Sequence, residues 1–213
     1  MSWMRQRICE GQLAVMLLTR LPAGKLRYDV PKLASTVWFF PSVGIPIGLL
    51  VGLSYIGMCY LGILPTLASI LAFSIGLIVT GAMHEDGLAD CADGFGGGQS
   101  KNQKLEIMRD SRIGSFGVLA LVFIVSARIV SLSNLAPNQE VLFAIIALAM
   151  ISRLVMVFYL TFLLPVRDEG LGRDAGKPEV TALVVSVITC IPIILICGSY
   201  MISCVAIIAI VAF

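Results

Sequence analysis

The sequence predicts an all-α fold, a polytopic transmembrane helical bundle, and three observations carry that expectation. Of its 213 residues, 58% are hydrophobic and 13% are charged, against about 25% charged in ordinary soluble domains. The mean hydropathy is +0.97. Charge-poor apolar stretches also recur at the length, about 20 residues, that a helix needs to cross a bilayer core of about 30 Å.

Five full spans are expected, at 37–61, 64–83, 115–136, 139–165 and 180–198. A sixth apolar run, Tyr200 to Phe213, is still uninterrupted where the sequence stops. At about 21 Å in helical form it falls short of a span and reads as a truncated C-terminal helix. Near the start, Ile8 to Leu21 is only partly apolar and carries Glu10 and Arg20. That pattern suits a short interfacial or re-entrant segment. Arg5 and Arg7 precede it, but no small-residue cleavage site follows, so no signal peptide is expected. Residues 1–213 are read as one integral membrane domain.

The six cysteines contain no C-x-x-C pair and are read as small packing residues. Cys190, Cys197 and Cys204 recur every seven positions, an alignment that a turn expected near Gly198 would break.

Charge then orients the bundle. Arg5, Arg7, Arg20, Lys25, Arg27 and Lys32 precede the first span; Lys101, Lys104, Arg109 and Arg112 separate the second from the third; Arg167, Arg173 and Lys177 separate the fourth from the fifth. The intervening connections, near Gly62, Asn134 to Gln139 and Ser199, hold no Lys or Arg. Because cytoplasmic loops retain positive residues, the N-terminus and all long loops are placed inside. All acids but Glu140 share that side or its boundary. The basic residues alternate with acids and lack aromatic partners, so no nucleic-acid partner is expected.

The chemistry concentrates where the second span ends. Between His84 and Asp93 lie four carboxylates, Glu85, Asp86, Asp90 and Asp93, and the chain's single histidine. On a continuous helix Asp86, Asp90 and Asp93 share one face, although the helix could also break at Gly87. Crowded carboxylates repel unless a positive charge joins them. A hard divalent cation, Mg²⁺ or Mn²⁺, is the expected neutraliser, with those three aspartates as ligands. Downstream, Arg109 and Arg112 suit bidentate contacts to phosphate, and Gly96 to Gly98 offers a flexible turn or backbone amides for a phosphate. Arg128 and Arg153 fall inside apolar stretches, where a guanidinium costs at least about 2.5 kcal/mol without a partner or water. They are expected to face the bundle interior, Arg153 above all toward an anionic substrate or the aspartates.

These residues carry a resemblance. His84-Glu85-Asp86-Gly87-Leu88-Ala89-Asp90-Cys91-Ala92-Asp93-Gly94 resembles the H-x-D-G-L-A-D-x-x-D-G signature of cobalamin synthase, the membrane-bound adenosylcobinamide-GDP ribazoletransferase family. Three further pieces agree in order: Thr19-Arg20-Leu21-Pro22, the run Ile107 to Gly117 (IMRDSRIGSFG), and Arg167-Asp168-Glu169-Gly170-Leu171-Gly172 after a span containing Ser152-Arg153. The family's later G-x-T-G-D-x-x-G-A stretch is not reached, so the chain is expected to lack the C-terminal segment.

The resemblance implies transfer of the adenosylcobinamide phosphate of adenosylcobinamide-GDP to α-ribazole or its 5′-phosphate, with release of GMP, in the inner membrane of a bacterium. Such a reaction needs an in-line attack on a diphosphate. His84, Asp86, Asp90, Asp93 and Asp110 are the catalytic candidates, with the proton acceptor left open among them. Arg109, Arg112, Arg153 and Arg167 are the substrate-binding candidates. Two other readings were weighed. A CDP-alcohol phosphatidyltransferase requires an arginine downstream of Asp93-Gly94 that is missing here, and a transporter would favour inverted repeats that the sequence lacks. The oligomeric state stays open, a homo-oligomer included.

Overall fold

A computed structural model describes residues 3–26, 30–166, 173 and 175–211, with the side chains from 198 onward left aside. Helix α1 (Trp3–Leu18) is followed by two single 3-10 turns, Leu33–Ser35 and Val37–Phe39, which lead into α2 (Phe40–Tyr60). Then come α3 (Pro65–Thr80), α4 (Met83–Gly97), α5 (Lys101–Ile107), α6 (Ser115–Ser133), α7 (Gln139–Phe162) and α8 (Val180–Val211). Among the described residues there is no strand.

Among the described residues four helical segments are long and apolar enough to cross a membrane: Val37–Tyr60, Ser115–Ser133, Gln139–Phe162 and Val180–Cys197. Helices α3 and α4, which meet at a 90° bend, make a fifth if they count together as one span. The protein is therefore an integral membrane helical bundle, as its composition requires. Helix α1 is not among the spans. It docks through Glu10, fully buried, whose carboxylate accepts hydrogen bonds from Arg7 Nη1 (2.7 Å), Gln6 Nε2 (3.1 Å) and Trp38 Nε1 (2.9 Å). Three donors satisfy a charge that would otherwise be costly to bury, which fits the expected interfacial segment.

The centre of the bundle is the α2–α7 seam. Gly44, Gly48 and Gly52 lie four residues apart and so on one face of α2. A Cβ added at Gly48 would lie 2.5 Å from Ile146 Cα, and one at Gly44 would lie 2.6 Å from the Ala149 backbone. In lipid, where no hydrophobic effect pulls helices together, such small-residue faces let backbones approach and gain dispersion contacts. Buried Tyr55 extends the seam, its hydroxyl donating to the Leu135 carbonyl (2.7 Å) in the α6–α7 connection.

Two expectations are corrected. The turn near Gly198 is not formed, because α8 runs unbroken from Val180 to Val211. A glycine costs a helix about 1 kcal/mol, whereas opening a helix in lipid leaves backbone groups unpaired at several kcal/mol each. The break in the acidic segment comes at Gly81–Ala82, ahead of Gly87, which sits inside α4. Both corner residues are left-handed, with φ of 69° and 56°. Gly81 suits that conformation, and its missing side chain also makes room for Arg20, whose Nε would lie 2.6 Å from an added Cβ. The Arg20 amide donates to the Val79 carbonyl (2.7 Å), so the Thr19–Pro22 segment buttresses the corner.

Replacing Gly48 with valine should force α2 and α7 apart. Overpacking of this kind costs about 1–3 kcal/mol. The purified variant is expected to show a clearly lowered thermal midpoint in detergent, and an unchanged midpoint would show that the seam is not tightly packed.

Candidate active site

Helix α4 has two chemical faces. One carries His84, Glu85, Gly87, Leu88 and Cys91 into a cavity of about 610 Å³ bounded also by α2, α3, α6 and α7. The other carries Asp86, Asp90 and Asp93 away from it. The two faces meet at the first turn, where His84, Glu85 and Asp86 are consecutive.

The three aspartates share a strip of helix surface without converging. From Asp86 to Asp93 the axis rises about 10.5 Å at 1.5 Å per residue, whereas Mg²⁺ holds its ligands at about 2.1 Å. Asp86 is exposed and Asp90 half-buried. Asp93 is buried, and both of its oxygens are engaged: Oδ2 accepts from the Gly114 amide (2.7 Å) and Oδ1 from the Gly117 amide (2.8 Å). It thereby satisfies orphan donors at the start of α6 and sits at the positive end of that helix dipole. Among the described residues no group of three or more His, Cys, Asp or Glu side chains is placed to hold a metal ion. The expected three-aspartate ligand set is thus not assembled, and Asp86 and Asp90, one turn apart, are the pair left on the open face.

Asp93 explains the IMRDSRIGSFG segment. At Gly114 and at Gly117 an added Cβ would collide with the Asp93 carboxylate. The glycines that follow Asp93 are packing positions too. Cβ atoms at Gly94, Gly96 and Gly98 would lie 2.5–2.6 Å from Met108, Phe116 and Lys104 side chains respectively. Gly96 and Gly97 are helical, so this run forms no flexible phosphate loop. It lets α5, the Met108–Gly114 loop and α6 close onto α4, which brings Arg109 and Arg112 beside the acidic helix.

In that loop Arg112 grips Asp110, Nη2 donating to Oδ2 (3.0 Å) and Nε to both oxygens (3.3 and 3.2 Å), and the Arg112 amide adds a further bond at 3.1 Å. Those hydrogen bonds hold the Asp110 carboxyl below the usual carboxylate range, which makes it a weak base and suits it to hold Arg112 in place. Arg109 is exposed. Arg167 lies outside the described residues.

Arg128 and Arg153 face the interior as expected, and both line the cavity. Arg128 Nη1 donates to Glu85 Oε1 at 2.7 Å and its guanidinium stacks 5.3 Å from the Phe73 ring centroid. Glu85 was not among the candidate site residues. The signal for it was present all the same: an arginine at membrane depth demands a carboxylate, and Glu85 is the acid facing the other way from the aspartate strip. Arg153 is 7% exposed; its Nη1 donates to Ser152 Oγ (2.8 Å) and the Ala149 carbonyl (3.4 Å). Its Nε and Glu85 Oε2 are buried without hydrogen-bond partners among the described residues.

The family model described as cobalamin-5-phosphate synthase matches residues 11–213. The chain belongs to this family. It is 38% identical over 192 residues to an adenosylcobinamide-GDP ribazoletransferase of Mesorhizobium japonicum, covering 90% of this chain and 74% of that protein. A protein of the same name from Azorhizobium caulinodans is 44% identical over 169 residues, 77% of this chain and 64% of the relative. A third, from Pseudoalteromonas atlantica, is 45% identical over 135 residues, covering 62% of this chain and 49% of the relative. No solved structure matches the chain. Of the family's signature segments, Thr19–Pro22 braces the corner ahead of α4 and Ile107–Gly117 is clamped to α4 through Asp93, while Arg167–Gly172 lies outside the described residues.

Removing Asp93 separates two roles. As the acceptor of two buried amide bonds, its replacement by alanine should cost about 2–3 kcal/mol of stability, read as a lowered thermal midpoint. Asp86→Ala, at an exposed position, should leave the midpoint nearly unchanged. A fully stable Asp93→Ala protein would remove the helix-start role given to Asp93.

Proposed function

We propose that this chain is an adenosylcobinamide-GDP ribazoletransferase, joining adenosylcobinamide-GDP to α-ribazole or its 5′-phosphate and releasing GMP. The named relatives support the reading. The structural observation that carries it is the clamp of Asp93 on Gly114 and Gly117, which packs the acidic helix and the arginine loop into a single unit at one end of the bundle. A phosphatidyltransferase or a transporter finds no such support among the family matches.

In the transfer, a ribose hydroxyl oxygen of the acceptor attacks the phosphorus that bears the cobinamide. The bond from that phosphorus to the bridging oxygen breaks, and GMP leaves with the electron pair. The hydroxyl proton passes to a base at the first turn of α4, where His84 and Asp86 are the candidates. Arg109 and Arg112 bind the diphosphate, which replaces Asp110 on Arg112 and offsets the charge that builds on the leaving group.

Asp86 and Asp90 are the residues that would hold Mg²⁺, or Mn²⁺, the usual arrangement being one or two carboxylates with substrate phosphate and water completing the shell. The ion would supply neutralising charge at the diphosphate. The clustering of Lys and Arg in these loops supports an orientation with this end of the bundle on the cytoplasmic side of the inner membrane.

Membranes carrying the chain, given adenosylcobinamide-GDP, acceptor and Mg²⁺, are expected to release GMP. Asp90→Ala should lower that rate at least about 100-fold, as loss of a group acting in the transition state does, and chelation should stop it until Mg²⁺ is restored. Undiminished turnover in Asp90→Ala would refute the site, and turnover indifferent to chelation would refute the metal.

A further inference from the structure

The cavity on the second face of α4 is bounded by helices from across the bundle and holds about 610 Å³, within the roughly 300–1,000 Å³ typical of small-molecule sites. Its walls are largely aliphatic, with Ile47, Val51, Leu77, Leu132, Ile145 and Leu148 among them. Its charged side chains are Glu85, Arg128 and Arg153, with His84 and the Cys91 thiol beside them. Two guanidiniums therefore share one carboxylate. Glu85 is bonded to Arg128, while among the described residues Arg153 donates to the neutral oxygens of Ser152 and Ala149 and its Nε has no hydrogen-bond partner.

An excess positive charge held at membrane depth is costly. An anion arriving there removes the cost, and a guanidinium pairs best with a planar or tetrahedral oxyanion. The ligand that satisfies both the walls and the charge has a compact apolar body and one anionic group.

We propose that this cavity seats the acceptor substrate as a phosphorylated benzimidazole nucleoside, its aromatic base against the aliphatic walls of α3 and α7 and its phosphate on Arg153. This assignment rests on the transferase reading and deepens it. Of the two substrates, the nucleoside is small and apolar at one end, as the cavity demands. The GDP-linked corrinoid is far larger and fringed with amides, so it stays on the open aspartate face. Arg153 and His84 line the same cavity, which sets the phosphate on the side of the first turn of α4. The ribose, between base and phosphate, then presents its hydroxyls where the two faces of α4 meet, and the attacking oxygen reaches the diphosphate from the cavity side.

The test is binding without turnover. The full chain in lipid nanodiscs is titrated with α-ribazole 5′-phosphate and, separately, with α-ribazole, following benzimidazole fluorescence with no corrinoid present. Saturable binding is expected. Leu148→Trp and Leu77→Trp, which fill the walls, should each weaken it at least about tenfold, or 1.4 kcal/mol, and leave the KM for adenosylcobinamide-GDP unchanged. Arg153→Gln should weaken the phosphorylated ligand about tenfold and the unphosphorylated one far less, a ratio within one variant that misfolding does not mimic. Wild-type affinity in both tryptophan variants, equal losses for the two ligands in Arg153→Gln, or a retained phospholipid that the nucleotide does not displace would each overturn the assignment. Binding without GMP release would instead overturn the transferase reading and leave the cavity assignment standing. Normal GMP release with an unchanged acceptor KM in the wall variants would do the reverse.

Discussion

Close approach of α2 and α7 is the constraint from which the rest of the bundle follows. Neither helix gains by hiding apolar surface from lipid, so contact has to come from shape, and the Gly44, Gly48 and Gly52 face supplies it by letting α2 lie against the backbone of Ala149 and Ile146. With that seam fixed, Arg153 on α7 is turned inward next to Ser152, and Ile47 and Val51 on α2 complete one wall of the cavity.

Helix α4 shows how a corner creates chemistry. Had α3 run straight on, His84 and the acids would have projected beyond the membrane surface into water. The left-handed pair Gly81–Ala82 turns the chain through 90°, so that one face of α4 closes over the cavity and the other faces outward. Ala82 holds a conformation that costs an L-residue roughly 1–2 kcal/mol. The packing of Arg20 beneath Gly81 and the clamp of Asp93 on α6 hold the turn in place from both sides.

Much of this was legible in the sequence, and the limits have physical causes. The spans, the interfacial α1 and the inward-facing Arg128 and Arg153 follow from the cost of charge and unpaired backbone in lipid, a strong and local rule. The metal-ligand role of Asp93 was read from angular position alone. Helical periodicity reports which face a residue lies on, yet it is silent on separation along the axis and on which neighbour that part of the face meets. Asp93 meets the bare amides of Gly114 and Gly117, two glycines that the IMRDSRIGSFG segment displays openly. Their significance is visible only once α6 is known to start beside α4. The turn expected near Gly198 does not form because opening a helix in lipid leaves backbone groups unpaired. The seam glycines carried their own signal in a four-residue repeat, which hydropathy, being blind to shape, passes over.

Charge balance then connects the two faces of α4. On the outer face stand Asp86 and Asp90, and in the cavity two guanidiniums share the carboxylate of Glu85. On the proposed reading a diphosphate accompanied by its cation would engage the first group and an anionic nucleoside the second. On that reading, filling both would bring a nucleophilic hydroxyl and an electrophilic phosphorus to the same turn, and binding energy from the bulky, unreactive parts of both substrates would be converted into alignment of the reacting atoms. The membrane would serve this arrangement directly, since a low-dielectric bundle strengthens the pull of a buried guanidinium such as Arg153 on an anionic ligand.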